Sequence, residues 1–305
     1  MKPYLIINPT SARGVMQKRW HEVEAILRAE GFEYRAGFTE RKGHATQLAR
    51  AALEAGFDLI VVVGGDGTTY EVVNGMLDTN GKAINPNTAL GIITSGTGAD
   101  FVRSVGIPGD TLASARQLAH ATTTRPLDIG EIIYCIDGKE THTFFANVAG
   151  MGFDAEVIER TERGGKHAGG TIPYLTTLFS TISSYRNKDV VVKIDDRQME
   201  GVMNSVVVCN GKYFGGGMMI SPNSKIDDGK FHVITLGNFG TLEVMLNTPR
   251  LYNGTILTHP KVSEYQATIV TVQSKQRMLI QADGEFIGPG PATFRILPAA
   301  LKLRV

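Results

Sequence analysis

The stretch DLIVVVGGDGTTYEVVNG, residues 58–75, decides the fold of the first part of the chain. Its opening DLIVVV is a continuous apolar run, which is typical of a strand covered on both faces in a parallel sheet. The glycines that follow permit a sharp turn before a helix. The same order recurs on either side, with strands at 4–7 and 89–93 and helical spacing at 16–27, 45–52 and 112–118. This alternation predicts a doubly wound parallel α/β sheet whose functional sites lie at the carboxyl ends of its strands.

The character of the sequence changes at about Leu127. Beyond it, β-prone runs dominate, and only two helical patterns interrupt them, at 174–185 and 242–251. The runs are 129–136, 143–148, 190–194, 202–209, 231–236, 268–272 and 278–281. We therefore predict an α/β protein of two domains, with the doubly wound parallel sheet in residues 1–127 and a β-rich, β-sandwich-like domain in residues 128–305. A length of 305 residues suits two domains.

Composition excludes several classes of protein. Lysine plus arginine number 31 against 30 acidic residues, so binding through bulk positive charge is excluded and we expect no nucleic-acid partner. With 42% hydrophobic and 20% charged residues, the chain is not intrinsically disordered. No apolar run approaches the roughly 18 residues that span a bilayer. Cys135 and Cys209 lie in apolar stretches and are predicted to be buried free thiols, which fits the reducing cytoplasm.

The strongest chemical signal is GGDGT at 64–68, between a strand and a helix. Its glycines let the backbone approach a ligand closely, and a helix N-terminus offers free N–H groups to phosphate oxygens. Asp66 would repel a phosphate, so a Mg²⁺ ion, a basic side chain or a substrate hydroxyl is expected between the two. The alternative is a tight turn in which Asp66 only caps the helix. Because the glycine run is longer than a cap requires, we favour the phosphate site.

Two further segments follow neighbouring strands and would face the same crevice. SGTG at 95–98 is a second glycine turn, and NPTSARG at 8–14 adds hydroxyls, backbone N–H groups and the Arg13 guanidinium. An N-cap before the first helix explains the latter segment equally well. The segments match neither the Walker A pattern G-x-x-x-x-G-K-[ST] nor the Rossmann pattern G-x-G-x-x-G. Taken together with GGDGT, they predict a phosphate-binding floor.

These segments stand in the order and spacing of a known family. NPTSARG, Thr39 with Gly43-His44-Ala45, GGDGT followed by EVVNG, and SGTGADFVR resemble the catalytic domain of diacylglycerol kinases and of their sphingosine and ceramide kinase relatives. The resemblance continues in Asn147 with Gly152-Phe153-Asp154, in residues 210–229 and in Asp283-Gly284-Glu285. It thus covers nearly the whole chain, which is similar in size to the bacterial soluble diacylglycerol kinases.

The resemblance implies an ATP- and Mg²⁺-dependent lipid kinase with ATP in the cleft between the two domains. The residues that it assigns to ATP are Thr10, Ser11, Ala12, Arg13, Gly14, Thr39, Gly65, Asp66, Gly67, Thr68, Glu71 and Thr97. Asp66 would organise the Mg²⁺-bound phosphates or orient the acceptor hydroxyl, and Glu285 would be the general base. From the residues alone, Asp283-Gly284-Glu285 is better explained as a hairpin turn between two strands.

The resemblance also implies a structural Mg²⁺ site. Asp228 would supply a carboxylate, and Lys225 and Lys230 would supply backbone carbonyls, a set of oxygen ligands that suits Mg²⁺. On spacing alone this segment is a turn with solvated carboxylates. We expect Asp228 and Asp100 to join a charge network that orders Asp66.

Two positions depart from the family pattern, since Ala99 replaces an asparagine and Thr94 a proline. Loss of the asparagine amide puts nucleotide affinity or the hinge geometry in doubt. The acceptor stays open, because diacylglycerol, sphingoid bases, ceramide and other lipid alcohols all present a hydroxyl beside an apolar tail. We expect a cytoplasmic enzyme with transient contact at the inner membrane face, and a homodimer formed by sheet-edge pairing. The basic, glycine-rich residues 163–170 are a candidate for that contact or for a mobile loop.

Two other functions stay open at this point. NAD kinase and 6-phosphofructokinase share a Gly-Gly-Asp-Gly loop, but the SGTGADF loop and the Asp-Gly-Glu turn favour the lipid kinases. A lipid-binding or regulatory protein could keep the fold and lose turnover. The presence of both Asp66 and Glu285 argues against that alternative.

Overall fold

The computed structural model describes residues 1–95, 99–163 and 180–305. In these ranges no helix combines the length and the apolar character needed to cross a membrane. Thr97 and residues 174–179 of the predicted helical pattern at 174–185 lie outside the described residues, as does most of the glycine-rich stretch 163–170.

The first part of the chain forms parallel strands in the order β2-β1-β3-β4 with helices between them. The strands are β1 (Pro3–Ile7), β2 (Arg35–Phe38), β3 (Leu59–Gly64) and β4 (Ala89–Thr94). The helices are α1 (Ser11–Ala29), α2 (His44–Glu54), α3 (Asp66–Met76), α4 (Asp100–Val105) and α5 (Thr111–His120). All six residues of β3 are buried. Its alternate side chains pack into two different hydrophobic clusters, one on each face of the sheet, which confirms the doubly wound prediction.

The second part of the chain is rich in antiparallel strands, as predicted. The strands are β5 (Thr124–Ile136), β6 (Lys139–Phe145), β7 (Val148–Gly152), β8 (Lys188–Ile194), β9 (Arg197–Met203), β10 (Ser205–Cys209), β11 (Tyr213–Phe214), β12 (Met218–Met219), β13 (Phe231–Leu236), β14 (Val262–Ala267), β15 (Ile269–Ser274), β16 (Leu279–Ala282), β17 (Glu285–Pro289) and β18 (Ala292–Arg304). The helices are α6 (Phe153–Arg163), α7 (Thr241–Tyr252) and a 3-10 turn at Ile256–Thr258.

Two sheets enclose the core of this second part. One has the order β14-β13-β10-β7-β16-β17, and the other contains β5, β6, β8, β9, β15 and β18. Between them lie Phe145, Phe231 and Phe294, all fully buried, with the first two rings stacked at 5.6 Å between centroids. Burying each such side chain is worth about 1.5–3 kcal/mol. The β-sandwich-like prediction is confirmed.

The last strand joins the two parts. β18 pairs in parallel with β4 through Lys302 and Leu303, and antiparallel with β5 and β15. The parallel sheet therefore continues into one layer of the sandwich as a single ten-stranded sheet. The predicted boundary between residues 127 and 128 falls inside β5, whose Leu127 packs in the core of the first part. That boundary stays a prediction.

The structure corrects some local expectations. Helix α6 was not predicted, and the apolar run 202–209 holds parts of two strands separated at Asn204. Cys135 is exposed rather than buried, because it lies near the tip of the β5–β6 hairpin opposite Glu140, beyond the sandwich core. Cys209 is buried as predicted, and burial raises the pKa of its thiol.

Candidate active site

The carboxyl ends of β1, β3 and β4 bring three polar segments together, as the topology predicts. Asn8 Nδ2, at the end of β1, donates to Thr68 Oγ1 at 3.0 Å. The hydroxyls of Ser11 and Ser95 are in direct contact. The segment with Thr10 and Ser11, the GGDGT turn and the start of the second glycine turn thus form one surface. The first N–H groups of α3, in residues 66–68, have no acceptor within the helix and are available to an anion.

The backbone at the start of α1 has an unusual conformation. Ala12, Arg13 and Gly14 are consecutively left-handed, with φ of 50°, 60° and 81°. This region is unfavourable for residues other than glycine, and such strain is concentrated at functional sites. Upstream, Asn8 Oδ1 accepts hydrogen bonds from the backbone N–H and the hydroxyl of Thr10 at 3.1 and 2.8 Å. The segment is therefore an ordered loop with its own backbone conformation rather than a simple helix cap.

Asp66 does not cap its own helix. Its carboxylate accepts hydrogen bonds from the backbone N–H groups of Asp100 at 3.0 Å and Phe101 at 3.3 Å, so it caps α4 from outside. Ala99 holds the N-cap position of α4 and provides no side-chain acceptor. Burial, with a smaller contribution from the charge of Asp100, raises the pKa of Asp66 to about 7. The Asp66 carboxyl group therefore titrates near neutral pH.

Asp100 links α4 to the second part of the chain. Its two oxygens accept hydrogen bonds from the backbone N–H groups of Gly216 and Gly217, each at 2.7 Å, in the β11–β12 hairpin. Burial raises the pKa of Asp100 even though these bonds favour its charged form. Asp66 thus accepts a hydrogen bond from the backbone of Asp100, and the expected charge network with Asp228 stays a prediction. Within the described residues, no hydrogen bond or ion pair joins Asp228 directly to Asp100.

Asp283 and Gly284 form the two-residue turn between β16 and β17, with φ of 49° and 84°. The hairpin that the residues alone predicted is therefore present. The Asp283 carboxylate accepts three backbone hydrogen bonds, from residues 146, 147 and 148, at 2.8, 3.0 and 3.0 Å. Burial raises the pKa of Asp283 to about 6. The turn is thereby fixed to the start of β7.

Glu285, the next residue, faces the GGDGT loop. A Cβ atom on Gly67 would lie 2.8 Å from Glu285 Oε1, so the carboxylate sits directly against this glycine. Glu285 Oε2 is 2.6 Å from the Nζ atom of Lys42. Burial would lower the pKa of Lys42, but Glu285 and Glu162 together raise it above its ordinary value. The predicted base therefore meets the predicted phosphate loop across the cleft.

Sequence reasoning missed Lys42. It lies in the loop before α2, and a single lysine there carries no local signal. The loop is positioned by Glu71, whose carboxylate accepts from the backbone N–H groups of Gly43 at 2.8 Å and Ala45 at 3.0 Å. Thr39, at the end of β2, donates its backbone N–H to the Ile7 carbonyl at 2.8 Å. ATP contact by Glu71 and Thr39 stays a prediction, and the structure shows Glu71 orienting the loop that carries Lys42.

The predicted Mg²⁺ ligands lie beside β5 rather than at the GGDGT loop. Asp228 Oδ1 accepts the backbone N–H of Lys230 at 3.2 Å. The neighbouring Asp128 accepts from Gly229 at 2.7 Å, and burial together with the charges of Asp228 and residue 227 raises its pKa. Among the described residues, no cluster of three or more His, Cys, Asp or Glu side chains could hold a metal. One carboxylate with backbone carbonyls and water would still fit Mg²⁺ chemically, so the site stays a prediction.

A large cavity, about 870 Å³, opens beside these acidic groups. It lies on the outer face of the β14-β13-β10-β7-β16-β17 sheet, between that sheet, α6 and α7. Its acidic end is lined by Asp66, Asp100, Asp283 and Glu285. Away from that end most of the wall is apolar, formed by residues such as Val207, Ile220, Leu236, Phe239, Leu251 and Ile256. The site thus combines the predicted phosphate-binding floor, a carboxylate cluster and an apolar chamber.

Comparison with known proteins agrees with this geometry. The diacylglycerol kinase catalytic domain model matches residues 2–132, and the YegS C-terminal NAD kinase beta sandwich-like domain model matches residues 147–305. A diacylglycerol kinase of Staphylococcus haemolyticus (strain JCSC1435) is 30% identical over 291 residues, 95% of this chain and 84% of the relative. The chain belongs to the diacylglycerol kinase family.

Other relatives of this kinase extend the match. A diacylglycerol kinase of Bacillus subtilis (strain 168) is 29% identical over 290 residues, 95% of this chain and 91% of the relative. A Klebsiella pneumoniae (strain 342) protein named "Probable lipid kinase YegS-like" is 29% identical over 308 residues, 99% and 95% of the two chains. A crystal structure of a diacylglycerol kinase from Bacillus anthracis str. Sterne superposes with a TM-score of 0.72 at 20% identity, over 99% of this chain and 96% of that one. The protein is thus a kinase of the lipid kinase type, with the fold of that crystal structure.

Proposed function

We propose that this kinase transfers the γ-phosphoryl group of ATP to the hydroxyl of diacylglycerol, or of a similar lipid alcohol, to give phosphatidate or its analogue. The observation that carries the proposal is the apolar cavity with its acidic end at the GGDGT loop. An acyl chain in the cavity would leave the hydroxyl of the lipid beside Glu285, opposite the loop expected to hold the phosphates.

Glu285 is the carboxylate best suited to accept the proton. Asp66, Asp100 and Asp283 each accept backbone hydrogen bonds, which tie up their oxygens and fix their positions. Glu285 is instead held by the flexible side chain of Lys42, which is 60% exposed and can move. In the reaction the alcohol oxygen attacks the γ-phosphorus, its proton passes to Glu285, and the bond to ADP breaks.

The nucleotide is assigned to the floor built by the first part of the chain. The N-terminus of α3 presents backbone N–H groups to phosphate oxygens, and the strained Ala12–Gly14 segment would add the Arg13 guanidinium. When bound, Mg²⁺ would neutralise charge on those oxygens, and Asp66 stands where it could organise such a complex. Asp228, with the carbonyls of Lys225 and Lys230, would hold a separate structural Mg²⁺. The cytoplasmic location and the contact with the inner membrane face belong to the same proposal.

A phosphotransfer assay tests the proposal. The purified kinase is incubated with labelled ATP and Mg²⁺ against diacylglycerol, ceramide and a sphingoid base in mixed micelles, and against NAD. We expect a phosphorylated lipid, and a loss of at least about 100-fold in Glu285→Ala. The exposed Glu200→Ala on β9 is the matched control and should retain full activity.

Three outcomes would contradict the proposal. Phosphorylation of NAD without any lipid product would establish the NAD kinase alternative. Full activity of Glu285→Ala would remove the assigned base, and absence of any product would support a lipid-binding protein without turnover.

A further inference from the structure

Helix α7 carries an apolar stripe on its outer face. The stripe consists of Leu242, Met245, Leu246, Pro249 and Tyr252, which share one helix face because they recur at intervals of three and four. Leu242 is 67% exposed and Leu246 69%. An ordinary surface helix turns its apolar face to the core and its polar face to water. In α7, Val244 and Leu251 pack partly buried against the core on the inner side, so the outer stripe is an additional apolar face that is turned to solvent.

The inner face of α7 forms part of the cavity wall. Val244, Asn247, Thr248 and Leu251 line the cavity from this side. Met245, Pro249 and Tyr252 belong to the outer stripe and also line the cavity. The exposed stripe is therefore continuous with the apolar wall of the cavity. A lipid tail could pass from one to the other without crossing water.

The charged residues of α7 lie beside the stripe and are held by neighbours. Glu243 is paired with Lys261 at 2.6 Å, and Arg250 Nη1 donates to Thr258 Oγ1 at 2.8 Å. The apolar stripe is thus flanked by an ion pair and by one cation, the Arg250 guanidinium. An apolar face beside polar and cationic groups is the pattern of helices that lie in the interfacial layer of a bilayer.

We propose that the outer stripe of α7 is the surface by which this kinase docks on a lipid bilayer, with the helix lying in the interface at the mouth of the cavity. The inference rests on the proposed function, since the cavity must be filled from a membrane. A second copy of the chain could also cover the stripe, but a protein partner seated there would close the route between membrane and cavity. Exposed apolar patches of this kind mark interaction surfaces.

The test compares two double variants of equal charge change. Leu242→Glu/Leu246→Glu alters the stripe at two residues that do not line the cavity. Ile84→Glu/Ile136→Glu alters two exposed isoleucines elsewhere, 40% and 41% exposed, and serves as the control. Binding is measured by co-sedimentation with vesicles of phosphatidylcholine and phosphatidylglycerol, and activity is measured on long-chain diacylglycerol in those vesicles and on dispersed short-chain diacylglycerol.

We expect the stripe variant to bind vesicles at least about tenfold more weakly than the wild type, since two exposed leucines that would insert into the bilayer are exchanged for charges. Its activity should fall in parallel on vesicle substrate and stay within about twofold of wild type on the dispersed substrate. The control should match the wild type throughout. Unchanged vesicle binding by the stripe variant would refute the docking surface, as would a wild type that does not bind vesicles.

Two further readouts separate the alternatives. If light scattering shows a wild-type dimer that the stripe variant converts to monomer, with vesicle binding intact, the stripe is a dimer interface and the proposal is wrong. If the wild type binds vesicles through the stripe but phosphorylates no lipid, the docking surface stands and the proposed function fails.

Discussion

Gly67→Ala should separate the activity of this kinase from its stability. Gly67 is the second residue of α3, and its backbone is helical. An added Cβ would lie 2.8 Å from Glu285 Oε1, whereas ordinary contact begins at 3.4 Å, so the carboxylate must withdraw by about 0.6 Å. The glutamate can do so at little cost, because the contacting atom is the far end of a flexible side chain.

The magnitude follows from this displacement. A misplacement of about 1 Å at a catalytic group can cost about 100-fold in rate. A displacement of about 0.6 Å should therefore lower kcat about tenfold, with little change in the KM for the lipid. Alanine is favoured over glycine in a helix by up to about 1 kcal/mol. The free energy of unfolding should therefore stay the same or rise by that amount. Both quantities are accessible, through initial rates of phosphotransfer and through urea unfolding followed by circular dichroism.

Gly109→Ala is the matched control. Gly109 lies before α5, and a Cβ there would meet no atom within 4 Å, so neither rate nor stability should change appreciably. A Gly67→Ala enzyme with the wild-type kcat would refute the placement of Glu285 as the base against this loop. A drop in stability together with the rate would show that the effect is not confined to the carboxylate.

Two further predictions concern the acidic groups. Because burial raises the pKa of Asp66 from 3.8 to about 7, the folded protein retains a proton that the unfolded chain has released between those values, and stability falls as pH rises through this range. Asp66→Asn should therefore stabilise the protein increasingly from pH 4 to 7. Above pH 7 the gain in the free energy of unfolding should level off at about 2 kcal/mol, because water in the cavity screens the charge. A difference in urea midpoints that does not depend on pH would contradict this prediction. Asp228→Ala should weaken Mg²⁺ binding at least about tenfold in calorimetry and lower turnover, whereas unchanged titration and full activity would remove Asp228 from the metal site.

The sequence alone predicted three of the four strands and four of the five helices of the first part of the chain, and it missed β2 and α4. The apolar run of β3 and the glycine turn after it are local signals, and local signals are what a single sequence carries. The junction of β18 with β4 is different, because it pairs residues 302 and 303 with residues 89 and 90 and leaves no trace in either segment. Long-range pairing of this kind follows from the packing of the whole molecule.

The elements around the cavity were harder to predict, for a physical reason. Helix α6 is rich in Glu and Arg and has few apolar residues from which a helical pattern could be identified. Helix α7 was predicted from its spacing at 242–251, but the same spacing could not show which of its apolar residues are exposed. A periodic pattern identifies a face without saying what covers it. The cavity of this kinase is walled in part by α7, a helix that exposes an apolar face to solvent.

Asp283-Gly284-Glu285 shows how a structural and a functional interpretation can both hold. A two-residue turn of this type needs positive φ at both central positions, which favours Asp and Gly. The same left-handed backbone turns the Asp283 carboxylate onto the N–H groups of residues 146–148 and starts β17 at Glu285. The turn therefore fixes the position of Glu285 at the start of β17, and the glycine at position 67 leaves room for the Glu285 carboxylate. The choice between turn and site that the residues alone seemed to demand does not arise, because the turn is what brings the carboxylate to the loop.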